Sequence, residues 1–408
     1  MESPQQTRKS HLAIVLVVLG IVASLMVGLL IGYSATLLTS TGDNATLQNQ
    51  ISYLQQQISD LQAQQNPTNQ NAAVITGENV SLAQIYNQVK DSVVVVQGYT
   101  VQYDIFHQAY YSGVQGSGFV YDYNGQMIII TNNHVVEDTI NNTVTFFNGD
   151  AYAASVIGSD PYADLAILST EAPASEYQPL EIVNSSTLQM GDPLIAVGGP
   201  YGLAGSMTTG VVSALGRTIS EESTNYAISN VIQTSAPINP GNSGGPLLNY
   251  EGEVNGITTA IVSNSQGLGF AIPSSTVLRE ISALVTTGSY NQHPWLGASG
   301  VDMNYEIANT LNVDVTYGWL VATVTSGGPA DNAGLKGGTS QTQVAGSTIP
   351  IGGDIVIALN ETRIRNMDDL SSYLEEMTLP NQTINVTIIR DGQMITLQLT
   401  LGARPAPT

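Results

Sequence analysis

Between residues 92 and 273 the chain advances in short β-branched runs, each ended by a turn signal, and few architectures accept that rhythm. SVVVVQGY (92–99), MIIIT (127–131), LAILS (165–169), PLIAVG (193–198), MTTGVVSA (207–214) and VNGITTAIVS (254–263) are rich in Val, Ile and Thr and short for buried helices. Asn124-Gly125 and Asn148-Gly149 stand between such runs, where residues that tolerate positive φ close hairpins. The runs fall into two sets, 92–169 and 193–273, so the sequence predicts two small all-β units of the sandwich or barrel kind. A helical pattern over 276–287, with Ser274 or Ser275 as cap and Gly288 as stop, closes the region. Asp122-Tyr123-Asn124-Gly125 opens like a calcium loop but lacks the later ligands and the closing Glu, so it reads as a turn.

Charge narrows the function. The chain has 10 Lys and Arg against 32 Asp and Glu, a formal charge of −22. A groove for phosphates needs clustered bases, and their scarcity argues against nucleic acid as a partner. The absence of Cys excludes a thiol nucleophile, thiolate metal sites and a disulfide scaffold. With 42% hydrophobic residues over 408 positions, the chain has the means to bury more than one core.

Residues 12–31, LAIVLVVLGIVASLMVGLLI, carry no charge, and at about 1.5 Å per residue such a helix spans roughly 30 Å of hydrocarbon. Arg8 and Lys9 precede it and no Lys or Arg follows before Lys90, which places the N-terminus in the cytoplasm and the rest outside. The run exceeds the apolar core of a signal peptide, and Ala35-Thr36 is a weak cleavage site. An uncleaved single-pass anchor in the cell membrane is therefore expected over 12–38, behind a tail of 1–11. Leu47, Ile51, Leu54, Ile58 and Leu61 then alternate spacings of four and three, the seam of a coiled-coil stalk within 43–66. Its Ile/Leu pattern favours two strands, while its Gln flanks specify no partner; a solvated helical spacer is the alternative. Asn66-Pro67 breaks the pattern and begins a linker over 67–78.

Three spots carry chemistry. Gly241-Asn242-Ser243-Gly244-Gly245-Pro246 sets a Ser in a Gly-dense turn, where successive N–H groups can converge on one concavity and hold a developing oxyanion. Thr131-Asn132-Asn133-His134 sets a His just after a strand. Asp164 opens an apolar run, where an unpaired carboxylate is costly and demands a partner. Singly, each has a plain reading: a turn Ser, a packed or surface His, an Asp bonded to turn amides. Together, the order His, Asp, Ser is that of the chymotrypsin-type triad. Two come from the first strand set and one from the second, which places the site between the two units. Such chemistry needs no metal and no cofactor.

GSGFV (116–120), TNNHVVED (131–138), VIGSDPYADLAIL (156–168), GDPLIAVGGPYGL (191–203), TTGVVSALGR (208–217), QTSAPINPGNSGGPLLN (233–249) and GLGFAIP (267–273) resemble the HtrA/Deg family of serine proteases. The resemblance implies a chymotrypsin-like double β-barrel over 79–288, with Ser243 as nucleophile, His134 as general base and acid, and Asp164 orienting the imidazole. It implies an oxyanion hole from the backbone N–H groups of Gly241 and Ser243. It further implies that Ile238, Thr258, Thr259 and Ala260 line a pocket for small or medium aliphatic side chains. Unfolded or misfolded polypeptides are the implied substrates, and a homotrimer or larger homo-oligomer the implied assembly. Ser235 and Pro237 depart from the family, which often has Asp and Ala there.

WLGA (295–298), GWLVATV (318–324), GPADNAGL (328–335), GGDIVIALN (352–360) and TIIRDG (387–392) resemble a single PDZ domain over 289–402. With one helix near 367–377, such a domain leaves a sheet edge to which an extended peptide adds as a strand. The N–H groups of Leu296, Gly297 and Ala298 would hold the peptide's terminal carboxylate or a carbonyl. An insertion near 339–350 departs from the family and is expected to cover or extend the groove. The whole reads as a membrane-anchored, ATP-independent serine endopeptidase for protein quality control outside the cytoplasm. A peptide-binding holdase and a PDZ scaffold with little proteolysis are the alternatives.

Overall fold

The computed structural model describes residues 81–104, 106–199, 205–220, 227–259 and 268–406. The expected tail, anchor (12–38), stalk (43–66) and linker (67–78) lie outside the described residues. Among the described residues no helix is long and apolar enough to cross a membrane.

Helix α1 (Leu82–Val89) leads into a first closed barrel of antiparallel strands in the order β1-β2-β3-β6-β5-β4. These are β1 (Val93–Tyr103), β2 (Ala109–Tyr123), β3 (Gln126–Thr131), β4 (Thr139–Thr145), β5 (Ala151–Asp160) and β6 (Leu165–Thr170), with the one-turn helix α2 (Asn133–Val136) after β3. A second closed barrel follows in the order β10-β11-β12-β9-β8-β7. Its strands are β7 (Pro193–Gly198), β8 (Ser206–Ser220), β9 (Ala227–Thr234), β10 (Pro246–Leu248), β11 (Val254–Thr259) and β12 (Gly269–Pro273). The two strand sets in the sequence are thus two barrels.

Burial explains why the runs are continuously apolar and not alternating. Val93, Val94, Val95 and Val96 are all buried. Val94 and Val96 join Val120, Ile129 and Leu168 inside the first barrel. Val93 points the other way, with Phe119, Ile130 and Ile167, into a layer that continues through Ile195, Val197, Ile257 and Ile272 of the second barrel. Strands covered on both faces need apolar residues at every position. Leu194, Ala196, Val212, Ile232 and Leu247 fill the second barrel.

The local signals fare unevenly. Asn124 and Gly125 both take positive φ (54° and 87°), as a two-residue hairpin turn requires. At 148–149 only Gly149 does (94°), and the Asn148 side chain instead accepts the Asp150 N–H at 2.9 Å. Helix α3 (Ser274–Thr287) ends at Gly288 with φ 79°, as expected, but neither of its first serines caps it. The cap comes from afar: Ser185 Oγ accepts the Ser275 N–H at 3.1 Å, while Ser274 Oγ donates to the Val183 carbonyl.

The third body follows α3. It contains β13 (Pro294–Trp295), β14 (Ala298–Asp302), α4 (Tyr305–Leu311), β15 (Trp319–Val324), α5 (Pro329–Asn332), β16 (Ser340–Val344), β17 (Ser347–Ile351), β18 (Ile355–Leu359), β19 (Thr362–Arg363), α6 (Met367–Met377), β20 (Thr383–Arg390), β21 (Gln393–Thr400) and β22 (Gly402–Ala403). Its main sheet runs β14-β15-β18-β20-β21, which leaves β14 at an edge. Trp319 and Val321 face Leu370 and Leu374 of α6, whereas Leu320 between them packs with Val344 and Ile349. Residues 344 and 349 belong to the hairpin β16–β17, which is the insertion. It therefore backs the sheet on the face opposite α6, which corrects the expectation that it covers or extends the groove.

Helix α6 turns its polar side to the second barrel. Arg217 Nη1 meets Asp368 Oδ2 at 2.8 Å, the Thr218 N–H donates to Asp368 Oδ1 at 2.8 Å, and Asn230 Nδ2 donates to Glu376 Oε1 at 2.8 Å. The buried centre of this contact is His293, with Nε2 2.6 Å from Asp160 Oδ2 and Nδ1 3.0 Å from Glu375 Oε2. Burial by itself would lower the imidazole pKa, but the hydrogen bonds and charges of Asp160 and Glu375 outweigh it and push His293 up to about 10. Burial, together with the Asp160 charge, pushes the Glu280 carboxyl well above the usual carboxylate range, while Arg279 Nη2 donates to Glu280 Oε1 at 2.6 Å. Asp160, Glu280 and His293 lie close enough to hold a metal ion, but His293 already pairs with Asp160 and Arg279 with Glu280.

His293 titrates above its ordinary 6.5 in the folded chain, so the stability it lends is complete below about 6.5 and is lost as pH rises through about 10. Glu280, also raised, acts in the same direction. The thermal midpoint should therefore fall as pH rises from neutral towards about 10. Replacing His293→Gln, which strands two carboxylates, should cost about 3–5 kcal/mol near pH 6 and flatten that alkaline loss. Thermal unfolding over this range checks both, and a wild-type midpoint indifferent to alkali contradicts them.

Candidate active site

Strand β3 ends at Thr131, and Asn132 turns the chain into α2, which carries His134. Asp164 lies just before β6 and takes a left-handed φ of 50°. For a residue with a side chain that backbone costs on the order of 1–3 kcal/mol and needs support. Support is dense: the Asp164 N–H donates to the Pro161 carbonyl (3.2 Å), and its own carbonyl accepts from Asn132 Nδ2 (2.9 Å). The carboxylate accepts the His134 backbone N–H (3.0 Å, Oδ1), faces His134 Nδ1 (2.9 Å, Oδ2) and accepts Thr259 Oγ1 (3.2 Å, Oδ2). Asp164 is only 3% exposed, so a buried charge has found the partners its position demands. The His134 side chain is more open, at 23%.

Ser243 occupies the turn between β9 and β10. Gly244 bends it with φ 87°, and a Cβ there would stand 2.0 Å from the Ser117 carbonyl oxygen, so only glycine fits. The Asn242 N–H donates to the Asn239 carbonyl (2.9 Å), the Gly244 N–H to the Thr258 carbonyl (2.9 Å), and Thr258 Oγ1 to the Asn242 carbonyl (2.6 Å). From the other side the Ser117 N–H donates to the Ser243 carbonyl at 2.7 Å. Gly116, next along β2, is hemmed in from both sides: a Cβ there would lie 2.6 Å from Val135 Cγ2 and 2.9 Å from the Ser243 carbonyl oxygen. The helix turn carrying His134 and the turn carrying Ser243 thus meet across one glycine, between the barrels.

The remaining expected residues separate. Gly241 takes φ 96° at the start of the turn. Ile238 is half-buried against the interior of the second barrel. Thr258 and Thr259 do not offer their hydroxyls to a pocket: one bonds the Asn242 carbonyl and the other the Asp164 carboxylate. Ala260 lies outside the described residues. Ser235 Oγ accepts the Val211 N–H (3.0 Å) and the Pro237 carbonyl accepts Thr208 Oγ1 (2.9 Å), so both departures from the family tie this segment to β8. Sequence reasoning missed the bond from Thr259 to Asp164, because nothing local links positions 95 apart.

A second site lies in the third body. Gly297 takes φ 79°, its carbonyl accepts the Thr325 N–H (2.9 Å), and the Leu296 carbonyl accepts the Ala330 N–H (2.9 Å). The loop opens on a cavity of about 170 Å³ between β14 and α6, lined by Leu296, Ala298, Met367, Leu370 and Leu374. Ser229 of β9 lines it too, so the second barrel forms part of the wall.

Two closed barrels with a buried Asp–His pair in their cleft define a trypsin-like peptidase, and that family matches over residues 116–257, with a PDZ domain matching over 295–401. A probable periplasmic DegP-like serine endoprotease of Chlamydia pneumoniae is 39% identical over 297 residues, covering 72% of this chain and 56% of that protein. The chloroplastic Protease Do-like 1 of Arabidopsis thaliana is 35% identical over 334 residues, 80% of this chain and 73% of that protein. Among solved structures, the HtrA-type protease AlgW with a decapeptide superposes at a TM-score of 0.61 and 28% identity, over 80% of this chain and all of that one. The chain spans about half the length of several of the curated relatives it matches. It belongs to the HtrA/DegP-like family of trypsin-like serine proteases with a PDZ domain.

Asp164→Asn keeps the shape of the carboxylate but removes its charge and turns one of its two acceptor oxygens into a donor. It should lower kcat on unfolded casein by on the order of 10⁴ with the fold intact. Steady-state kinetics beside circular dichroism check this, and a loss under tenfold contradicts it.

Proposed function

We propose that the chain is an ATP-independent serine endopeptidase that cleaves unfolded or misfolded polypeptides outside the cytoplasm, held to the membrane by residues 12–38. The observation that carries the reading is His134 Nδ1, 2.9 Å from the buried Asp164 carboxylate. With its Nδ1 proton donated to Asp164, a neutral imidazole keeps the lone pair on Nε2 and can take the proton of the Ser243 hydroxyl as that oxygen attacks a peptide carbonyl. Asp164 then stabilises the imidazolium, which returns its proton to the leaving amine. The N–H groups of Gly241 and Ser243 receive the negative charge that gathers on the carbonyl oxygen.

The PDZ site supplies recognition in this reading. An extended peptide adds to the free edge of β14, its last side chain enters the cavity beside Leu370 and Leu374, and its carboxylate meets the N–H groups of 296–298. Domains of 79–288 and 289–402 suit the division of labour. A homotrimer or larger homo-oligomer fits the exposed aromatic residues at the end of the β1–β2 hairpin, where Tyr103, Phe106 and Tyr111 are each at least 65% exposed.

Ser243→Ala and His134→Ala should each lower kcat on unfolded casein by on the order of 10⁶. Residual turnover by purified Ser243→Ala above about a thousandth of wild type contradicts the assignment. Wild type that suppresses aggregation without cleaving at any temperature points to a holdase instead.

A further inference from the structure

We propose that Ser117 is a positioning residue for Ser243: its hydroxyl locks the peptide between the two oxyanion donors and ties that peptide to the chain leaving β7. The inference rests on the protease reading above and goes beyond it, because Ser117 takes no part in the proton transfers.

Ser117 is fully buried on β2, between two glycines, and every polar atom it has is engaged. Its N–H donates to the Ser243 carbonyl (2.7 Å) and its carbonyl accepts Thr131 Oγ1 (2.7 Å). Its hydroxyl donates to the Gly241 carbonyl (2.6 Å) and accepts the Gly199 N–H (2.9 Å). A serine hydroxyl has one proton, and here it is committed to Gly241, which turns a lone pair towards Gly199.

What the hydroxyl holds is the peptide unit joining Gly241 to Asn242. Its oxygen is fixed by Ser117, and its N–H is fixed by the Asn239 carbonyl at 2.9 Å. Gly241, at φ 96°, has no side chain to restrain it, so these two bonds are the restraint on its ψ. The N–H of Gly241 lies on one side of the clamped peptide and the N–H of Ser243 on the other. A hydroxyl that fixes the peptide therefore fixes the angle between the two donors, and a site that stabilises a transition state depends on donors set before the reaction. The second bond of the hydroxyl carries the same constraint to Gly199, at the end of β7. A shift of the chain there withdraws a donor from Ser117 and loosens the nucleophile turn, which gives the enzyme a control point outside the triad.

Ser117→Ala removes one oxygen and leaves both backbone bonds of residue 117 in place, so it tests the hydroxyl alone. In the full chain, kcat on unfolded casein should fall about 10–100-fold with KM within about twofold, and a peptide boronate inhibitor, which mimics the tetrahedral intermediate, should weaken by the same factor. Ser117→Cys, a weaker donor, should fall between Ala and wild type. Leu320→Ala, a cavity in the third body on the sheet face opposite α6, supplies the control for lost stability and should keep kcat. A kcat for Ser117→Ala within about twofold of wild type overturns the proposal, as does a loss in Leu320→Ala that matches it. An active Ser243→Ala sinks the protease reading itself, a separate outcome.

Discussion

A carboxylate with almost no access to water, set beside an imidazole, is the constraint around which the catalytic region is organised. Asp164 is tolerable in its position only because three donors converge on it, and two of those belong to His134. The third comes from the far barrel: Thr259 lies on β11, so the charge of one barrel is satisfied partly by the other. Burial makes each bond strong and makes the loss of any one expensive. The pair is therefore a fixed element, against which the turn carrying Ser243 has to be brought to the correct place.

That placement falls to backbone and not to side-chain bulk. Gly116 and Gly244 let β2 press against the turn, and Ser117 contributes donors from both its backbone and its side chain. The third body is tied in by a different chemistry. His293 spans Asp160 of the first barrel and Glu375 of α6, and the same helix presents Leu370 and Leu374 to the peptide cavity. One helix thus faces a peptide groove on one side and an ionic seam on the other, so a ligand that moves it works against those buried ion pairs.

Much of this was legible in the sequence, for reasons that can be stated. The barrels show because strands covered on both faces must be apolar throughout, and Val93–Val96 writes that directly. His134 and Asp164 show because a carboxylate in an apolar run requires a partner and the order of the motifs supplies one. What stayed hidden depends on distant contacts. Ser185 caps α3 from 90 residues away, and no local pattern announces it. Thr258 and Thr259 bond the Asn242 carbonyl and the Asp164 carboxylate, partners distant in sequence, because hydroxyls in a buried strand seek acceptors. The side of the sheet taken by the insertion follows from the alternation of Trp319, Leu320 and Val321, which has meaning only once their neighbours are known.

The central claim is that Ser243 is the nucleophile activated by the Asp164–His134 pair. Its most direct test is to treat the native protein with a fluorophosphonate in the presence of an unfolded polypeptide and to map the adduct by mass spectrometry. A single adduct on the Ser243 hydroxyl, absent from His134→Ala, is the expected result. Cleavage of the polypeptide with no adduct at Ser243, or with the adduct on another serine, contradicts it.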